Sequence, residues 1–140
     1  MATTTATISV SSNILSYPIS INNSMTMKKA GSCHGLEETS GLNTKKITST
    51  TAFKLFGNAE ATAGGASKVY IRNSGASTTD FFYVGYGEDL AAATMETIGR
   101  LYGGNWMLIP WDAVAATTHD IYAKSSTIEP MHIEYMAFTE

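Results

Sequence analysis

Five apolar runs of four to eight residues crowd the second half of this chain, each bounded by small polar residues. They are Lys68–Arg72, Phe81–Val84, Asn105–Ile109, Asp120–Ala123 and Met131–Phe138. Runs this short, rich in Val, Ile, Tyr, Phe and Trp and set between Gly, Ser, Thr and Asn clusters, read as β-strands. A helix of useful length has no room between such turns. The chain is therefore predicted to be built from sheets, with its work done by surfaces and edges.

The first half extends the pattern more weakly. Within residues 1–27, Ile8 and Val10 stand two apart, as do Ile19 and Ile21, with Ser, Thr and Asn between them. Period two reads as strand. Pro18 lacks a ladder donor, so the strand is expected to be an edge or to break there. This segment reads as an N-terminal arm or edge strand, suited to reaching a neighbour. Residues 29–44, punctuated by Gly31, Gly35 and Gly41, read as a long loop. Lys45–Phe56 alternates again through Ile47, Phe53 and Leu55, and Ala59–Ser67 reads as a turn around Gly64-Gly65.

Asn73-Ser74-Gly75 is a turn signal of the kind that joins hairpins, and Gly103-Gly104 suits a tight turn that needs positive φ. Pro110 is expected to end the strand before it and to hold Trp111 at a bend. Glu88–Thr97, rich in Ala, leaves a short helical turn and a loop both open. Strands and turns so spaced suit an antiparallel sandwich or barrel of about eight strands. The expected fold is all-β: an antiparallel, jelly-roll-like β-sandwich with an extended N-terminal arm, one domain over residues 1–140.

Composition narrows the partners. Charged residues make up 15% of the chain, against roughly 25% in an average soluble domain. Hydroxyl residues fill the gap with 19 Thr and 14 Ser. Hydroxyls keep a surface wet without mutual repulsion, which suits a protein packed against copies of itself. A net charge of −3, with nine scattered basic residues, argues against nucleic acid, whose phosphates call for clustered Lys and Arg. One cysteine, Cys33, allows no internal disulfide and fits a reducing compartment. No basic residue precedes Lys28, and no apolar stretch approaches the length of a membrane span. Neither a signal peptide nor a membrane anchor is expected.

Chemistry-bearing residues do not converge. Cys33-His34, His119-Asp120 and His132 with Glu134 lack the four-ligand spacing of a structural zinc site. No GxSxG elbow and no phosphate-binding glycine loop occurs. Glu37-Glu38 and Glu88-Asp89 are adjacent pairs in polar stretches, where both carboxylates stay solvated. The expectation is a protein without catalytic, metal or cofactor sites. Aromatic residues remain, and these fill a core or form an exposed platform for a sugar or a protein. Ile8 and Val10 on the arm, with Tyr102, Trp106 and Trp111 around the glycine turn, are the candidate interface residues.

Several stretches together resemble a family of small virion proteins of tailed bacteriophages, most often those of aquatic bacteria. They are the Thr/Ser-rich N-terminal strand, Lys68–Asn73, Phe81–Val84, Ile98–Asp112, Ile121–Ser125 and the closing Glu134–Phe138. The likeness covers most of residues 68–138 and lies in strand order and turns. It implies a structural component of the particle, a capsid decoration (cement) protein bridging neighbouring capsid subunits. The alternatives are a collar, tail or fibre component, or a carbohydrate-binding module using exposed Tyr and Trp. Implied partners are the major capsid protein or other virion proteins and further copies of the chain, with assembly in the host cytoplasm and a final place in the virion. The resemblance brings no functional residues with it.

Overall fold

A computed structural model describes residues 4–12, 19–27, 38–57, 66–87, 95–112 and 119–139. Every regular element among them is a strand, and all pairing is antiparallel. In chain order these are β1 (Thr5–Ser12), β2 (Ile19–Thr26), β3 (Glu38–Thr39), β4 (Asn43–Ile47), β5 (Phe53–Phe56) and β6 (Ala66–Asn73). Then follow β7 (Phe81–Gly87), β8 (Glu96–Tyr102), β9 (Trp106–Asp112), β10 (Asp120–Ser125) and β11 (Met131–Thr139). The five apolar runs of the sequence lie in β6, β7, β9, β10 and β11, except that Asn105 precedes β9.

Three sheets result. β1 and β2 form a two-stranded hairpin, and a four-stranded sheet runs β5-β10-β7-β8. A five-stranded sheet runs β3-β11-β6-β9, with β4 beside β3 along the same edge of β11. From β4 to β11 the pairing is nested. The first of these eight strands pairs with the last (β4 with β11), then β5 with β10, β6 with β9, and β7 with β8. Successive nested pairs alternate between the two large sheets. The chain thus forms one long two-ply ribbon folded back and forth across both sheets. Pairing of β11 with β6 and of β10 with β7 stitches neighbouring plies together.

Alternation along the strands puts one face of each large sheet into a common core. Val69 and Ile71 of β6, Ile133 and Ala137 of β11, Phe82 and Val84 of β7, and Ile121 and Ala123 of β10 are buried in one cluster. Aromatic rings clasp the sheets together. Phe56 of the four-stranded sheet meets Trp111 at 5.7 Å and Tyr135 at 5.4 Å, both from the five-stranded sheet. Asn73 adds a polar tie. Its Nδ2 donates to the Leu101 carbonyl across the sheets at 2.9 Å, and its Oδ1 accepts from Gly75 N–H at 3.0 Å.

Several sequence expectations change here. Asn73-Ser74-Gly75 does not close a hairpin, because β6 and β7 belong to different sheets. The same is true of Gly103-Gly104 between β8 and β9, although Gly104 does take the expected positive φ of 79°. Pro110 does not end a strand: β9 runs on to Asp112, and its place at a sheet edge tolerates the missing N–H. Lys45–Phe56 is not one alternating segment, since β4 and β5 lie in separate sheets.

The long loop expected over residues 29–44 contains strand from Glu38, and Glu96-Thr97 of the Ala-rich segment begins β8. Between β3 and β4, residues 40–42 face only two residues of β11, a bulge in which Gly41 takes φ 74°. There the Ser40 hydroxyl accepts the Ala137 N–H at 2.9 Å, replacing a lost ladder bond. The expected turn at Gly64-Gly65, Pro18, and the pair Cys33-His34 lie outside the described residues.

Candidate functional site

The N-terminal hairpin carries the most exposed apolar side chains of regular pattern. Its eight pairs run from Thr5↔Thr26 to Ser12↔Ile19 without a register shift. Residues directly opposite share a face, so alternation along both strands, broken at Asn23, gives the hairpin a mainly apolar and a polar face. Ala6, Ile8, Val10 and Ser12 stand on one face with Ile21, Asn23 and Met25. Thr5, Thr7, Ser9 and Ser11 stand on the other with Ser20, Asn22, Ser24 and Thr26. The Thr7 and Ser24 hydroxyls meet across the ribbon at 3.1 Å. Ile8, Val10, Ile21 and Met25 are each more than two-fifths exposed. Neighbouring exposed apolar side chains of this kind make the hairpin the candidate interaction surface among the described residues.

The hairpin is anchored at its base. Met27, just past β2, is buried, and its N–H donates to the Thr4 carbonyl at 2.8 Å. Beside this base a groove of about 240 Å³ opens between Thr4–Ile8 and the outer face of the five-stranded sheet. Tyr70, Trp106, Leu108, Met136 and Phe138 form the sheet side of the groove. Trp106 is half exposed, and its ring lies 6.3 Å from that of Tyr70 at a tilt of 35°. Next to them Arg72 and Glu134 make an ion pair at 3.4 Å.

The sequence-derived interface residues therefore divide. Ile8 and Trp106 come together at the groove, and Val10 continues the same face of the hairpin outward. Tyr102 lies elsewhere, on the outer face of the four-stranded sheet. There its ring packs on Phe81 at 5.0 Å, and the Arg100 guanidinium covers Phe81 and Tyr83. Trp111 is 2% exposed and belongs to the core; its indole N–H donates to the His119 carbonyl at 2.8 Å, so it offers no surface to a partner. Tyr70, Leu108, Met136 and Phe138 are additions. Their signal is a strand apolar on both faces: Met136 and Phe138 flank core-facing Ala137, and Tyr70 lies between core-facing Val69 and Ile71.

Among the described residues, the polar candidates Asp120, His119 and Glu134 have partners within the fold. Asp120 is buried and accepts from Lys54 at 2.9 Å. His119 Nδ1 lies 3.1 Å from the Asp112 carbonyl and 3.7 Å from its carboxylate. Glu134 faces Arg72 rather than His132. Among the described residues no three His, Cys, Asp or Glu side chains gather as a metal site. Burial raises the Tyr86 phenol above its usual pKa of 10.0; it is packed against the core edge, with its hydroxyl 3.5 Å from the Pro110 carbonyl.

Comparison with known proteins adds no relative: no family model, no curated protein and no solved structure matches this chain.

Proposed function

We propose that this chain is a structural component of a bacteriophage virion, a decoration protein that bridges neighbouring capsid subunits through its N-terminal hairpin. The observation that carries this reading is a doubly layered body that presents an uncharged, two-faced β-arm. We read the eight strands from β4 to β11, paired first with last and wound alternately through two sheets, as a jelly-roll order, an architecture of capsid proteins and of lectins. The arm exposes apolar residues and main-chain edge while the body keeps its own core closed. Many symmetric copies turn modest contacts per arm into firm attachment.

A test follows from the position of Met27. A chain beginning at Met27 lacks both arm strands and retains the buried anchor. It is expected to keep its two large sheets at a lowered melting temperature, because the outer face around Tyr70 and Trp106 loses its cover, and to be lost from purified particles at temperatures where it is folded, as read by mass spectrometry and by density in particle images. Full-length chain absent from purified particles would overturn the proposal.

One observation favours a second reading, a carbohydrate-binding module. Trp106 and Tyr70 make an exposed aromatic step beside Arg72 and Glu134, the pairing of apolar ring and hydrogen-bonding groups that a sugar face requires. On that reading Trp106→Ala abolishes glycan-array binding at unchanged melting temperature. A blank array with the native chain removes it.

A further inference from the structure

Sheet edges separate the arm from the rest of this molecule. A free edge strand is a template for pairing, and proteins guard such edges with charge, proline, bulges or shortness. Each edge of the two large sheets is guarded. β8 carries Glu96 and Arg100, and its register with β7 shifts between Val84 and Gly85. β5 has four residues, with Lys54 among them. β9 contains Pro110 and Asp112, and β4 contains Lys45 and Lys46 beside the bulge at Ser40–Leu42. β1 and β2 have none of these devices: eight residues each, no charge, no proline and no register shift.

The hydrogen-bond phase shows what these edges offer. Met27 N–H donates to Thr4 O, so bonded pairs recur at Ala6/Met25, Ile8/Asn23 and Val10/Ile21. The amides and carbonyls of Ser20, Asn22 and Ser24 therefore point away from β1. The outer side of β1 begins along the groove, where Thr4–Ile8 face the body, whereas β2 is exposed from Ser20 to Thr26. β2 is the open edge.

We infer that this edge pairs with β2 of a second copy, giving a continuous four-stranded sheet of two arms across a twofold axis. The partner such an edge accepts must be extended, uncharged and itself unguarded, and the chain supplies that strand. Two identical edges running antiparallel place donor against acceptor on both sides and set no charge against another charge. Joining also repairs a weakness, because a lone two-stranded hairpin is marginal in water. The joined sheet has one polar face of Ser, Thr and Asn and one mainly apolar face, bearing Val10, Ile21 and Met25 with Asn23 among them, from each copy. The identity of the partner rests on the reading of this chain as a multi-copy component.

The full-length chain, measured by sedimentation equilibrium, tests the pairing. The native chain is expected to self-associate to a dimer. Asn22→Pro removes an outward N–H of β2 and is expected to weaken association about tenfold or more. Ser9→Pro, which removes an outward N–H of β1 at the directly opposite position, is expected to leave association unchanged. In a Cys33→Ser background, Thr7→Cys with Ser24→Cys reports whether the hairpin survives Asn22→Pro, since those side chains already touch. A monomeric native chain at about 100 μM, far weaker than stable interfaces of micromolar affinity, overturns the inference. So does equal weakening by the two proline variants. A monomer still found in particles sinks this inference and spares the virion role; a dimer absent from particles does the reverse.

Discussion

Phe56→Ala is expected to cost about 4 kcal/mol of stability, within the usual range for a buried phenylalanine. In a chain of this size that lowers the melting temperature by roughly 10–15 °C. The ring is 2% exposed and stands between the two large sheets, with Trp111 and Tyr135 against it at 5.7 and 5.4 Å. Truncation leaves a cavity that neither sheet can close alone, because Trp111 is held by its bond to the His119 carbonyl. Phe81→Ala is the control. That ring is half-buried on the outer face of the four-stranded sheet, packed against Tyr83, Tyr102 and Arg100, and its loss is expected to cost about 1–2 kcal/mol. Thermal melts of the two variants by circular dichroism decide the matter. Equal shifts would mean that the clasp is not where the sheets are joined.

Asn73→Asp is expected to be nearly as damaging near neutral pH and much milder in acid. Asn73 is fully buried with its bonding complete: Nδ2 to Leu101 O, Oδ1 from Gly75 N–H, N–H to Asn105 O and carbonyl from Gly104 N–H. A carboxylate there retains the contact to Gly75 but turns an oxygen on the Leu101 carbonyl. Buried, unpaired charge costs about 3–5 kcal/mol. Burial and the facing carbonyl both raise the folded-state pKa of the introduced carboxyl above its unfolded value of about 3.9. The penalty is therefore absent below that unfolded value and grows as pH rises toward the folded one. Urea midpoints should show the variant approaching the native chain between pH 8 and pH 4.5. Asn73→Ala has no proton to gain, so its deficit should stay level across that interval. Parallel pH profiles for the two variants would refute the cross-sheet role.

Asn73 also shows where the sequence stops being legible. Its neighbours Ser74 and Gly75 announce a turn, and the chain does bend there, with Gly75 N–H donating to Asn73 Oδ1. Whether a turn returns the chain to the same sheet or carries it to the opposite one is decided by distant strands, β11 for one side and β10 for the other. Local turn chemistry holds no record of that choice. Apolar alternation is local, and for that reason the strands themselves were readable in Val69–Ile71, Phe82–Val84 and Ile121–Ala123.

Trp111 failed as a surface residue for a related reason. Pro110 is a strand breaker only where its missing N–H would be needed, and an edge strand does not need it. With β9 continuing through Pro110, the pleat turns Trp111 inward. On the arm, Ile8, Val10 and Ile21 were visible by their spacing, but the register that sets Val10 opposite Ile21 was not. The apolar wall of the groove was written in Met136 and Phe138, whose strand is greasy on both sides and so must be covered outside as well as in.

The nested ribbon also dictates an order of events. Its outermost pair joins Ile47 to Met131, two positions far apart along the chain, whereas the arm joins Thr5 to Thr26 and closes over a short span. Loop-closure entropy and contact order make the near pairing fast and the far one slow. Synthesis widens the gap, since β11 emerges last and the body cannot close its five-stranded sheet without it. A hairpin forms within microseconds, while the ribbon waits for its final strand. The near pairing of the arm and the far pairing of the body are thus separate steps in time, and the arm, marginal alone, gains its anchor at Met27 only when the sheet beside it has closed.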